Sequence, residues 1–203
     1  MTIETPSLGD RSYLAHDGDV ALVVDPQRDI DRVLEVADEA GVRITDVFET
    51  HLHNDYVTGG LALARRLGAR YHVNAADEVS FDRAQIRDGD VVEVSDTMRV
   101  RAIATPGHTF THLSYALETG AGDQTTTTAV FSGGSLLFGA TGRPDLLGEE
   151  HTSALVHHQY ASIHRLADEL PEQADVLPTH GFGSFCSAGS TGGATESTIG
   201  RER

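Results

Sequence analysis

The chain has 203 residues, 39% of them hydrophobic, and a formal charge of −16. That length can bury one substantial core, the lack of a long apolar run excludes a membrane-spanning helix, and the acidity argues against nucleic acid or an anionic membrane surface, which need clustered Lys and Arg. A single cysteine, Cys186, excludes an intramolecular disulfide; with the polar opening from Met1 to Pro6 it makes the cytoplasm the expected compartment.

The elements alternate. Asp19 to Asp25 is an apolar strand ended by Pro26. Asp29 then reads as the cap of a helix with Ile30, Val33, Leu34 and Ala37 on one face and Gly41 beyond its end. Ile44 to Glu49 is β-prone, and Thr58 reads as the cap of a short helix that runs through Leu67 and stops at Gly68. Strands are expected at Tyr71 to Val73, Val91 to Val94, Met98 to Ala104, His112 to Leu117 and Thr128 to Phe131. Gly120 to Thr128 is a hairpin loop by composition. From Ser153 a longer helix carries Val156, Tyr160, Ile163, Ala167 and Leu170 at helical spacing before Pro171, and Val176-Leu177 forms a last apolar run. Residues 182–203, rich in Gly, Ser and Thr, read as a C-terminal loop of a single domain spanning 1–203. β-Meander segments between helices fit a two-sheet sandwich better than one doubly wound sheet.

Chemistry concentrates at the ends of three strands. Thr50-His51-Leu52-His53-Asn54-Asp55-Tyr56 places His51, His53 and Asp55 in the loop leaving the first. Two histidines at i and i+2 of an extended segment project the same way, and imidazoles beside a carboxylate suit zinc or iron. The turn Thr105-Pro106-Gly107-His108-Thr109 follows a second strand, and Pro178-Thr179-His180-Gly181 a third. One such motif among 11 histidines could be accidental; three at strand ends, each in a Gly- or Pro-containing turn, point to a metal centre. His157, His158 and His164 lie on the polar side of the long helix and read as solvated, and His112 as a plain strand position or a group behind the site. Cys186 has no cationic neighbour in sequence to lower its pKa and reads as a bystander rather than a nucleophile.

Together these motifs resemble the metallo-β-lactamase superfamily. The segments Glu49 to Gly60, Phe131 to Leu137 and Gly142 to Leu146 resemble, more narrowly, its persulfide dioxygenase branch, in which this domain precedes rhodanese domains. The likeness runs from about Tyr13 to the end of the chain. It implies a four-layer αββα sandwich with metal at one edge, held by His51, His53, Asp55, His108 and His180, with Asp55 and Tyr56 as candidate catalytic groups. In the resembled two-part proteins the corresponding segment continues into a final helix and rhodanese domains, which carry sulfur on a cysteine, so the chain is expected to be either a fragment or a single-domain form.

Two positions depart from the pattern. Tyr56 stands where dinuclear hydrolases have a histidine ligand of the second metal, and Gly134 stands where the branch has an aspartate that completes a mononuclear iron set. The bland reading of Gly133-Gly134 is a tight turn after the strand. Fe(II) is the expected cofactor and Zn(II) the alternative, with occupancy weakened by the lost carboxylate. Gly134→Asp is accordingly expected to raise metal occupancy. The substrate expected for iron is a low-molecular-weight thiol persulfide, oxidised to sulfite, and for zinc a thioester; a metal-poor domain serving a sulfur-transfer partner is the third reading. Arg143 is the candidate for holding an anionic substrate, against a structural ion pair with Asp145. Self-association is left open by the sequence.

Overall fold

The computed structural model describes residues 1–187 and 194–203. Five strands surround two helices in the first half: β1 (Thr2–Thr5), β2 (Asp10–His16), β3 (Val20–Val24), α1 (Ile30–Ala40), β4 (Arg43–Phe48), α2 (Gly60–Leu67) and β5 (Arg70–Asn74). Then come β6 (Ala84–Ile86), β7 (Val91–Glu93), β8 (Met98–Ala104), β9 (Leu113–Thr119), a single 3-10 turn at Gly122–Gln124 and β10 (Thr126–Gly133). A short hairpin of β11 (Leu136–Leu137) and β12 (Ala140–Thr141) leads to α3 (Glu149–Glu169), β13 (Asp175–Pro178) and α4 (Ile199–Glu202).

The strands form a six-stranded sheet, β1-β2-β3-β4-β5-β6, and a five-stranded sheet, β13-β10-β9-β8-β7. In β3 both faces are buried, which is why it reads as a continuous apolar run. Leu22 and Val24 face the second sheet with Phe48, Tyr115 and Phe131, while Ala21 and Val23 face Val33, Ala37 and Leu63 of α1 and α2. A third cluster joins Ile103, Ala116 and Val130 of the second sheet to Leu166 of α3 and Leu170 at its C-terminal end. Three apolar interfaces between four layers make the αββα sandwich that the resemblance implies. Each large side chain fully buried there contributes roughly 1.5–3 kcal/mol.

Local signals fare unevenly. Gly41 ends α1 in the left-handed conformation, φ 67°, with its N–H returned to the carbonyls of Ala37 and Asp38, as its place after the periodic run predicts. Asp29 holds the N-cap position of that helix as expected, but its carboxylate makes no capping hydrogen bond and pairs with Arg32 at 3.1 Å instead. The Thr58 hydroxyl does accept the Gly60 N–H, at 2.9 Å, although Gly59 occupies the cap position. Thr126 and Thr127, expected in a loop, extend β10 ahead of Thr128, since β-branched side chains suit a pleated surface. The expected C-terminal loop holds α4, anchored by buried Ile199 and a bridge from Asp175 to Thr198; its residues 188–193 lie outside the described residues. No helix among the described residues is long and apolar enough to cross a membrane.

Candidate metal centre

Five strands deliver their C-terminal ends to one edge of the sandwich. β3 leads into Asp25, β4 into Thr50 to Asp55, β8 into Thr105 to His108, β10 into Gly133 and Gly134, and β13 into Thr179 and His180. Because β8 and β10 both pair antiparallel with β9, and β13 pairs parallel with β10, the last three run the same way.

Asp25 is the fixed point of this edge. It is fully buried and is the one non-glycine with positive φ, 50°, among the described residues, a conformation aspartate tolerates better than most. Its carboxylate accepts the Thr50 N–H and the Thr50 hydroxyl, both at 2.7 Å, and the Thr179 hydroxyl at 2.5 Å. Burial alone would raise its pKa, but the neighbouring His53 imidazole, the Thr179 hydroxyl and the Thr50 N–H outweigh that and hold it at about 2. One carboxylate thereby locks the residues preceding both His51 and His180.

The hydrogen-bond network also assigns the imidazole protons. The Thr50 hydroxyl spends its proton on Asp25, so it accepts from His51 Nδ1 at 2.9 Å. His180 Nδ1 donates to Asp10 Oδ1 at 2.9 Å, and His108 Nδ1 to the Arg143 carbonyl at 3.1 Å. In the neutral rings every Nε2 then carries a lone pair rather than a proton. Desolvation, reinforced by the neighbouring imidazoles, pushes His51 well below its ordinary pKa and His108 down to about 3, so these two are neutral. His51 Nε2 and His180 Nε2 stand 3.3 Å apart. Two nitrogens about 2.0–2.1 Å from one ion at the tetrahedral angle lie roughly 3.3 Å apart. An acceptor thus stands behind each ring, a hydroxyl for His51, a carboxylate for His180 and a carbonyl for His108, and acceptors so placed orient histidines toward a metal where one is bound.

The remaining sequence candidates gather round this point. His51 lies 4.0 Å from His53, 4.8 Å from His108 and 5.3 Å from His180, centroid to centroid. His53 turns its Nε2 inward, 3.3 Å from Asp25 and 3.6 Å from Glu49, with its Nδ1 3.9 Å from Asp55. Asp55 sits 3.5 Å from His180. Neither nitrogen of His53 makes a hydrogen bond among the described residues, nor do Asp55 Oδ1, Asp10 Oδ2 and Glu49 Oε2. Orphaned buried donors and acceptors of this kind fit a metal, since each would otherwise cost about 1–3 kcal/mol. Tyr56 stacks on His53 at 4.3 Å and donates to the Asp25 carbonyl at 3.3 Å. Burial first, then Asp25 and Glu49, raise its pKa well above the ordinary value, so the phenol keeps its proton.

Four residues that the sequence reading passed over or set aside belong to the cluster. Asp10 holds His180, and Asp25 holds Thr50 and Thr179 beside His51 and His180. His112, read as a strand position, is buried just ahead of β9; its Nδ1 meets the Thr105 hydroxyl at 2.9 Å and its Nε2 accepts the Gly134 N–H at 3.0 Å. Cys186 is buried with its thiol 3.9 Å from Asn54 Oδ1. Arg143, by contrast, makes the ion pair: Nε and Nη2 reach Asp145 at 3.0 and 2.6 Å, and the guanidinium lies 4.9 Å from the Phe185 ring.

Comparison with known proteins agrees with this geometry. The sequence model of the metallo-β-lactamase superfamily matches residues 10–180. A hydroxyacylglutathione hydrolase of Polaromonas sp. is 29% identical over 164 residues, covering 80% of this chain and 57% of that protein. One from Acidiphilium cryptum is 38% identical over 113 residues, covering 54% of this chain and 46% of its own. The chain thus spans about half the length of these curated relatives. Among solved structures, a metallo-β-lactamase from Staphylococcus aureus superimposes with a TM-score of 0.88 at 30% identity, over all of this chain and 60% of the other. ETHE1 from Myxococcus xanthus gives 0.79 at 30% identity, over all of this chain and 80% of the other.

Proposed function

Because the chain belongs to the metallo-β-lactamase superfamily, we propose that it is a one-metal enzyme that oxidises the terminal sulfur of a low-molecular-weight thiol persulfide to sulfite. The observation that carries the one-metal reading is Tyr56. It occupies the position of a second-metal histidine, and its hydroxyl is committed to the Asp25 carbonyl. With no carboxylate at Gly134 to bridge two ions, the edge is left with overlapping donor groups, three of which share His180: His51 with His53, His108 with Cys186, and Asp10 with Asp55.

A bound Fe(II) would supply the path by which electrons pass from sulfur to dioxygen. The reaction balances as one persulfide, one O2 and one water giving one thiol, one sulfite and two protons, the outer sulfur losing four electrons. Around the metal the chain's own groups have separate tasks. Asp55 Oδ1, without a hydrogen-bond partner, is placed to take a proton. Tyr56, held protonated by burial, is a hydrogen-bond donor and no base. Arg143 is tied to the cluster through its carbonyl on His108; its guanidinium, neutralised by Asp145, offers an anionic thiol a cation once that pair exchanges.

The resemblance of Glu49 to Gly60 and of Gly142 to Leu146 to the persulfide dioxygenase branch supports this chemistry. Relatives named hydroxyacylglutathione hydrolase support a second reading, zinc-dependent hydrolysis of a glutathione thioester. Expression with iron or zinc supplementation, metal analysis, and parallel assays of oxygen uptake with glutathione persulfide and of thiol release from a hydroxyacyl glutathione decide between them. About one iron per chain with oxygen uptake matching sulfite is the expected result. Zinc with thiol release would replace it by the second reading, and absence of metal and both activities would leave a non-catalytic domain.

A further inference from the structure

Gly134 brings no ligand, but it organises one. Its carbonyl accepts the Gly142 N–H at 2.9 Å, Gly142 bridges to Ser187, and the Arg143 N–H donates to the Cys186 carbonyl at 2.9 Å. The Arg143 carbonyl in turn holds His108 Nδ1. The turn where the branch carries its aspartate is therefore stitched to the turn that carries Cys186, and the same strap orients His108. The Cys186 thiol and the ligating atoms of His108 and His180 all lie within 4.8 Å of one another, and all three residues are buried.

We infer that Cys186, as a thiolate, is the anionic ligand that replaces the missing carboxylate, forming with His108 and His180 a Cys-His-His set for one divalent metal. The inference rests on the one-metal reading above and specifies its ligands. A second feature independent of the cysteine points to a cation here. His180 is fully buried and its Nδ1 is held by Asp10 Oδ1, which leaves Nε2 on the side of His51, 3.3 Å away. Asp10 Oδ2, equally buried and within ligand distance of His180 and Asp55, has no hydrogen-bond partner.

Geometry and charge both fit. A sulfur about 2.3 Å and a nitrogen about 2.0 Å from one tetrahedral ion stand roughly 3.6 Å apart, so closure by at most about 1.5 Å completes the set. Without metal the thiol is no nucleophile: burial first, then Asp55 and Asp10, push its pKa up to about 12. A coordinated ion reverses that preference and deprotonates the thiol. The balance is one Cys–SH and one aqueous M²⁺ giving one M–S bond and one proton released to solvent. Thiolate with two imidazoles selects zinc, iron or cobalt over magnesium or calcium.

Cobalt(II) added to the metal-free chain tests this. The expected result is sulfur-to-cobalt charge-transfer absorption in the near ultraviolet, together with the visible bands of a tetrahedral site. Cys186→Ser should abolish the charge-transfer band and weaken zinc binding, read by competition with a chromophoric chelator, by at least the roughly 10–100-fold that loss of a partner behind a ligand costs. Cys186→Asp should recover much of the affinity without the band. Cobalt bound by the wild-type chain with no charge-transfer band would overturn the thiolate while leaving the metal centre standing. Equal zinc affinity in wild type and Cys186→Ser would do the same. A wild-type chain that takes up no metal would remove the centre and this ligand together. Should Cys186→Ser fail to fold, the presence or absence of the wild-type band still decides.

Discussion

Placing a β-carbon on residue 134 tests how the centre is built. An ideal Cβ there would lie 2.3 Å from His108 Cδ2, 2.7 Å from Cγ and 2.9 Å from Nε2. The backbone is not the obstacle, because Gly133, not Gly134, has the positive φ. What stands in the way is the imidazole itself, resting on the glycine and held by the Arg143 carbonyl. Restoring ordinary carbon–carbon contact demands a ring shift of about 1 Å. Overpacking of this kind costs about 1–3 kcal/mol and the strained hydrogen bond about 0.5–1.5 kcal/mol, so metal-free Gly134→Ala and Gly134→Asp should each lose roughly 2–4 kcal/mol. The gain in metal occupancy expected of Gly134→Asp is thereby qualified: the backbone accepts the residue, but His108 must first move. Urea unfolding of the metal-free proteins reads the shared steric cost. Metal affinity of Asp relative to Ala reads the carboxylate alone, with a gain of at least about tenfold expected. If Gly134→Ala unfolds at the wild-type urea concentration, the close packing of His108 on Gly134 is refuted; if Ala and Asp variants bind metal equally, a carboxylate at 134 does not reach the ion.

Asp25→Asn swaps an acceptor oxygen for an amino group facing Thr50 and Thr179, and should cost at least about 1.5–3 kcal/mol and roughly 10–100-fold in metal affinity; unchanged affinity would show that the strand ends hold their histidines without it. Tyr56→His should leave metal at one ion per chain by elemental analysis, because position 134 still lacks a bridge, while a second ion in that single variant would revive the dinuclear reading. Asp46 gives a pH test away from the centre. Burial of Asp46 is outweighed by His72 at 2.7 Å and Arg70 at 2.8 Å, so its pKa is lowered. Its stabilisation is therefore complete above the unfolded value of about 4 and fades as pH falls through the lower folded value. With Arg70 half exposed, Asp46→Asn should cost about 1–2 kcal/mol at neutral pH and progressively less in acid; a pH-independent difference in urea midpoint would contradict the assignment.

What could be read in the sequence is what depends on near neighbours. The 3.6-residue spacing of Ile30, Val33, Leu34 and Ala37 and the apolar run of β3 follow from burial on one face or two. β2 escaped because its buried positions include Asp10 and Ser12, whose polar side chains break the alternation that marks a half-buried strand. His51, His53 and Asp55 are legible because they lie within one loop. Their partners are not: Asp10 reaches His180 across 170 residues, and Asp25 reaches Thr179 across 154. Cys186 has no charged neighbour in sequence, yet it is buried against the histidines because the Gly134, Gly142 and Arg143 backbones hold it there.

The same distinction applies to the chemistry. A list of histidines gives donors but not directions, since either ring nitrogen can bind. Direction is set by whichever group holds Nδ1, and here those groups are a threonine hydroxyl, a backbone carbonyl and a buried aspartate drawn from three different parts of the chain. Loss of the family's aspartate therefore need not abolish the centre: the partners that aim the three Nε2 atoms are all retained, and only the anionic charge has to come from elsewhere. A buried thiol tied by its own backbone to the turn that lost the carboxylate is the group placed to supply it.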